Sequence, residues 1–227
     1  VFIEFNRKEK GDLEKLPKKH VDTGMGFERL CMVLQNKKST YDTDIFRPLI
    51  DFVSKISNTS YGKDEKSSIA IRVISDHIRA IVFAIADGQL PSNTGAGYVI
   101  RRILRRAVRY GYTYLKLKGP FLFQMTNLLA KQFENIFSEI NEQKLFIENI
   151  IKQEEKMFFK TLEKGLTLIN NSITTLEDNV KIISGRDVFE LYDTYGFPPD
   201  LTSLILTENN LSYNQREFDK EMQKQKN

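Results

Sequence analysis

Asp87 to Gly111 reads DGQLPSNTGAGYVIRRILRRAVRYG. A turn of Pro, Asn and Gly runs into a helix that carries Arg101, Arg102, Arg105, Arg106 and Arg109. At about 100° per residue these arginines fall within an arc of roughly 140°. Ile100, Ile103, Leu104, Ala107 and Val108 fill the opposite side. One face therefore packs on a core while the other holds fixed positive charge. Such a cluster repels itself unless a polyanion or a set of acidic neighbours balances it. No comparably dense acidic run lies nearby in the chain, so RNA phosphate is the first expectation. Pairing with carboxylates from adjacent helices is the alternative.

The rest of the chain reads outward from this helix as mainly α. Helices are expected over Asp44–Ile56, Ser67–Ala86, Tyr98–Tyr110, Phe121–Phe137 and Asn141–Ile173. The last is long enough to be a spine, with Glu154, Glu155, Lys156 and Glu163 on its wet side. Leu176–Lys181 breaks it. Shorter helices follow over Gly185–Tyr195 and Leu201–Glu208. Asn214, three residues before Glu217, marks the start of a final one. Upstream, Val1–Asn6 alternates as a strand, Lys8–Lys15 is a charged turn, and His20–Thr23 is a second short strand. Gly24 and Gly26 then open a helix to about Leu34. The boundary between this small α/β piece, 1–40, and a helical domain, 41–227, falls where the pattern turns helical.

Composition narrows the function. The chain has 227 residues, 41% hydrophobic and 28% charged, as expected of a soluble globular protein. Net charge is only +4, so local clustering argues for nucleic acid more than the total does. Cys31 is the single cysteine, which excludes an intrachain disulfide and points to a reducing compartment such as the cytoplasm. With His20 and His77 it makes no zinc pattern, and no metal site is expected. No apolar run is long enough to span a membrane. The chain opens on VFIEF without an initiator Met, which suggests a piece of a longer protein.

Three further stretches carry chemistry. In DTGMGFERL, Asp22–Leu30, closely spaced glycines let the backbone approach a ligand, and the helix that follows presents free N–H groups. Arg29, one turn in, can grip phosphate in bidentate fashion or lie on a base. By spacing alone, such a pattern is more often a tight turn with a surface arginine. In LYDTYGFPPDLT, Leu191–Thr202, Asp193 is either a capping residue in a structural corner or an acceptor for an exocyclic amine. Asn93, in the turn before the arginine helix, is a turn former or N-cap, or an amide facing a base edge. In SDHIRA, Asp76 and Arg79 can pair along a helix, and His77 suits a core or supporting role better than catalysis. No complete catalytic set assembles.

VFIEFNR, LPKKHVDTGMGFERL, YDTDIF, SDHIRA, DGQLPSN, GYVIRRILRRAVR and LYDTYGFPPDLT, in this order, closely resemble the alanyl-tRNA synthetase family of class II aminoacyl-tRNA synthetases. The resemblance runs from about Val1 to Thr202. It implies that GMGFER is the family's motif 3, with Arg29 holding ATP and Gly24 and Gly26 shaping the floor. It implies that Asn6 and Asp22 line the amino-acid pocket. The helical region then corresponds to the domain that recognises the alanine tRNA, reading a G·U wobble pair in the acceptor stem. Asn93 and Asp193 match the residues credited with that reading, and the five arginines are candidates for backbone phosphate.

By the same resemblance, the parent is a ligase using alanine and ATP with Mg2+. Motifs 1 and 2 would precede Val1, and the zinc-containing editing domain would follow Asn227. The fragment alone is then expected to bind RNA without aminoacylating it. Ala96 stands where many members have an arginine before GY. The rival is a non-enzymatic helical RNA-binding or scaffolding module, against which motif 3 argues.

Overall fold

The structure is a computed structural model that describes residues 2–9, 11–176 and 181–226. It separates into two compact units, Val1–Pro48 and Leu49–Asn227. Most of the expected break at 176–181 lies outside the described residues.

In the first unit, strands β1 (Phe2–Arg7) and β2 (Leu13–Val21) form an antiparallel hairpin. The second strand is longer than its pattern suggests, because Leu13–Lys15 pairs as well. The ladder is irregular between Ile3, opposite His20, and Phe5, opposite Lys15. Pro17 lies in the excess loop of β2 and has no N–H to donate, which suits a bulge. Helix α1 (Phe27–Leu34) follows, with Gly26 as its N-cap. The side chain of Gln35 is tied to Asp44, which extends this unit past residue 40. A two-stranded ladder with one short helix buries little. Phe2, Leu13, Met25, Val33 and Leu34 are accordingly exposed.

The second unit begins within α2 (Arg47–Ser57) and has its core along α3 (Glu65–Ala86) and α4 (Gly95–Leu115). Ile71, Ile74, Ile78, Ile81 and Ile85 of α3 are fully buried, as are Leu104, Ala107 and Val108 of α4. The three α4 residues belong to the apolar side expected from spacing. Asp64 caps α3 by accepting from the Ser67 N–H at 2.8 Å.

The expected Phe121–Phe137 helix is broken instead. A 3-10 turn at Leu122–Met125 leads into α5 (Thr126–Gln132), and α6 (Ser138–Glu142) follows. The break has a cause in α7 (Lys144–Thr174). Glu155, fully buried, accepts the N–H groups of Phe121, Leu122 and Phe123 at 2.8, 2.9 and 3.2 Å. A carboxylate from a distant helix thus caps the turn. Burial pushes the Glu155 carboxyl up to about 7, with the three N–H groups opposing. Glu154 is buried too, so neither residue lies on the wet side of the spine, whereas Lys156 and Glu163 do.

Beyond the spine lie β3 (Ile182–Ile183), α8 (Gly185–Asp193), α9 (Pro199–Glu208), β4 (Ser212–Tyr213) and α10 (Gln215–Lys226). The two short strands pair in parallel. The Asn214 side chain accepts from the Glu217 N–H at 3.3 Å, at the start of α10. No described helix is long and apolar enough to cross a membrane.

Candidate nucleic-acid interface

Two corners meet at the amino-terminal end of α4. The first is the turn Pro91–Thr94. Its Ser92 N–H donates to the Gly97 carbonyl at 3.0 Å, folding the turn onto the first coil of the helix. Gly97 permits this approach, since a Cβ there would lie 2.2 Å from the Leu90 carbonyl oxygen. Thr94 rather than Asn93 occupies the N-cap position, with no side-chain hydrogen bond to the helix, so Asn93 is not the cap.

The second corner is Thr194–Pro198. Phe197 is fully buried, 5.5 Å from the Phe158 ring and seated against Gly165 of the spine. Gly196 adopts φ 65°, the left-handed region open to glycine, and its carbonyl accepts from Arg105 Nη1. Asp193, at the end of α8, caps no backbone group among the described residues. One of its oxygens accepts from the Gln225 amide of α10.

Asn93 and Asp193, 100 positions apart in sequence, thereby line one cleft of about 310 Å3. Tyr98, Arg101, Arg105, Tyr192 and Gln225 also line it. Glu154 anchors the arginines from below. Arg101 donates Nε to one Glu154 oxygen at 3.1 Å and Nη2 to the other at 2.7 Å. Arg101 Nη1 donates to Asn93 Oδ1. Arg105 Nη2 lies 3.8 Å from Glu154, with its guanidinium 5.2 Å from the Phe158 ring centre. Burial lowers the Arg105 pKa, and the Glu154 charge opposes that.

The arginine face is thus paired largely with carboxylates, and these come from two helices distant in the chain, Glu154 from α7 and Asp200 and Glu208 from α9. Arg109, with its side chain 3% exposed, grips Glu208 in a bidentate pair at 2.9 and 2.5 Å. Tyr114 donates to the same carboxylate at 2.9 Å. Burial alone would lower the Arg109 pKa, but Glu208 reverses the sign and raises it. Arg109 is therefore structural, with no surface left for a phosphate. Arg102 is the most open of the pairs measured, 39% exposed and 3.3 Å from Asp200. Arg106 lies 5.8 Å from the Tyr110 ring centre, half-buried.

The first unit places the other expected residues. Gly26 abuts Arg29, whose side chain folds back to 3.5 Å from where a Gly26 Cβ would stand. A Cβ on Gly24 would meet nothing within 4 Å. Neither glycine has positive φ, so the fold of this unit does not itself demand them. Asp22 follows β2 directly and accepts from the Thr23 hydroxyl at 3.2 Å. Asn6 pairs opposite Glu14 while Phe2 pairs opposite Val21. Asn6 and Asp22 thus stand at opposite ends of the ladder, roughly 15 Å apart along the strand. The register does not bring them together.

His77 Nδ1 lies 3.2 Å from Asp76, in α3 and outside the cleft. Among the described residues no three His, Cys, Asp or Glu side chains converge as metal ligands. Tyr98, Tyr192 and Gln225 are cleft residues that sequence reasoning missed, and so is Glu154, which pairs with the cleft arginines without lining the cleft.

The family tRNA synthetases class II (A) matches residues 1–227. Alanine–tRNA ligases from Christiangramia forsetii and Cytophaga hutchinsonii are each 56% identical, over 226 and 227 residues. That of Bacteroides fragilis is 55% identical over 227 residues. The alignments cover 100% of this chain but 26% of each of these relatives.

Proposed function

Because this chain belongs to the tRNA synthetases class II (A), we propose that it is the stem-reading part of an alanine–tRNA ligase, joined to the motif 3 edge of the catalytic domain. The parent couples alanine to ATP, with Mg2+, as an adenylate, then esterifies the alanine tRNA. Arg29 holds the ATP, over a floor kept open by Gly24 and Gly26. Asp22 receives the alanine ammonium. The hairpin register leaves Asn6 outside that contact. Zinc belongs to an editing domain elsewhere in the parent.

The observation that carries the reading is the shared cleft of Asn93 and Asp193. RNA's minor groove is wide and shallow, so side chains on a rigid corner can enter it. In a G·U wobble pair the guanine 2-amino group has no partner, and the Asp193 carboxylate accepts from it. Asn93 faces the uracil. Arg102 and Arg106 are assigned to phosphate and set the register.

The test is fluorescence anisotropy of this chain with two acceptor-stem hairpins differing only in G·U against G·C at the third pair. The wobble stem binds more tightly, by about tenfold. Asp193→Ala erases that preference and leaves general affinity mostly intact. Equal loss for both stems would make Asp193 a structural corner.

A further inference from the structure

We propose that Glu154 and Arg101 form a positioning relay that decides which end of the Asn93 amide faces the cleft, so that the site offers one donor, Asn93 Nδ2, beside one acceptor, Asp193. The proposal rests on the reading above that the cleft takes a base pair.

The orientation follows from donor chemistry. A guanidinium has only donors, so the amide atom facing Arg101 must be the oxygen. Arg101 Nη1 donates to Asn93 Oδ1. Arg101 in turn cannot swing away. Its Nε and Nη2 are held by both oxygens of Glu154 at 3.1 and 2.7 Å, and Nη2 also reaches the Pro91 carbonyl at 3.5 Å. The two side chains are 17% and 11% exposed, so water competes little for this bidentate pair. Asn93 itself is exposed, and its Nδ2 makes no hydrogen bond among the described residues. A carboxylate on the spine is thus felt three links away, at an atom that meets the ligand.

The consequence is a two-point pattern. Asp193 has acceptor capacity beyond its bond from Gln225, and Asn93 has a free donor. Together they match an edge that shows an amino group and a carbonyl oxygen. In the minor groove those are the guanine 2-amino group and the pyrimidine O2, which are bonded to each other in G·C, whereas the wobble pair leaves the 2-amino group unpaired. If the amide were reversed, donor and acceptor would become two acceptors, and the pyrimidine carbonyl would be repelled.

The test uses the full chain in two ways. In the RNA-free chain, NMR hydrogen exchange at Arg101 Nε–H is slow. Glu154→Gln speeds it at least about tenfold and moves the two Asn93 amide proton signals toward their solvent-exposed values. Unchanged exchange would overturn the relay, whatever the chain binds.

With the G·U and G·C hairpins, Asn93→Asp keeps an oxygen toward Arg101 but removes the donor. It lowers the wobble preference about tenfold, near one hydrogen bond. Glu154→Gln lowers the preference too, yet adds nothing in an Asn93→Ala background. An undiminished effect there, or equal loss for both stems, would make Glu154 merely structural. Wild-type preference in Asn93→Asp would overturn the donor assignment. If the parent chain shows no wobble preference while slow Arg101 exchange persists, the base-pair reading fails and the relay stands.

Discussion

At its amino-terminal end α4 presents Arg101 and Arg105 to a small cleft, beside an amide and a carboxylate with hydrogen-bonding capacity to spare. At its carboxyl-terminal end, Arg109 stands on the same face, and both its terminal nitrogens are occupied by Glu208. Its guanidinium also lies 5.3 and 5.4 Å from the Tyr110 and Tyr114 ring centres. The cleft at this end is the larger, about 810 Å3, with Lys66, Lys116 and Lys118 exposed around it. Size therefore does not pick out the site. Residue type does not either, since the arginines are four apart on one stripe. What differs is whether the surrounding partners leave a fixed donor or acceptor unpaired and facing solvent.

The comparison breaks first at Arg109. Arg109→Ala leaves Glu208 without its guanidinium and Tyr114 bonded to a stranded charge. Removing one partner of a buried pair costs about 3–5 kcal/mol. Glu208 is 28% exposed, so the lower end of that range is expected. Urea unfolding measures it. The wobble preference of the folded variant stays as in the parent chain. A stable variant with weaker binding to both stems would return Arg109 to the phosphate contacts.

The second prediction concerns Glu155, which holds the Phe121–Phe123 turn with no cation bonded to it among the described residues. Its carboxyl sits at about 7 in the folded chain, against an ordinary 4.5. Between those values the folded chain keeps a proton that the unfolded chain has released. Its contribution is therefore full below about pH 4.5 and is lost as pH rises through about 7. The total is up to about 3 kcal/mol. The opposing charge of Lys152 is already contained in the value of about 7. Glu155→Gln should flatten the stability difference between pH 5 and pH 8 by that order. An equal slope in both proteins would mean that the carboxyl ionises freely. Glu154, one residue earlier, is instead paired with Arg101 at 2.7 Å.

These neighbours also show what the sequence made legible. The apolar side of α4 is legible, because spacing alone sets which face packs, and Leu104, Ala107 and Val108 are buried as expected. The motifs at Asn93 and Asp193 were visible, although their meeting in one cleft depends on Phe197 entering beside Gly165, a long-range contact without a local signal. The pairing of the arginine face has no local signal. Its carboxylates, Glu154 on α7 and Asp200 and Glu208 on α9, lie more than 45 positions from the arginines they pair with, so no nearby acidic run announces them. Glu154 and Glu155 were placed on the wet face by their charge. Their spacing said otherwise, since Ile147, Ile151, Phe158, Leu162 and Ile169 form one buried stripe that passes through 154 and 155. Position outranked residue type, because paired or capping carboxylates can be buried. The broken Phe121–Phe137 helix was hidden for the same reason, its cap being supplied from another helix.

The smallest expected effect falls between the two ends of α4. Arg102 is 39% exposed and pairs with Asp200, itself 45% exposed, through Nε at 3.3 Å. An exposed pair of this kind adds about 0.5 kcal/mol at most. Arg102→Ala should therefore leave the unfolding midpoint almost unmoved. Its effect should appear in binding, as a slightly lower affinity for the wobble and Watson–Crick stems alike. The slope of log affinity against log salt should fall by about 0.7–0.9, the release expected for one phosphate contact. Asp200→Asn separates the alternatives. Freed from its carboxylate, Arg102 should bind phosphate at least as well, so affinity holds or rises. If Asp200→Asn weakens both stems, the pair acts as a unit that shapes the corner, and Arg102 belongs with Arg109 among the structural arginines.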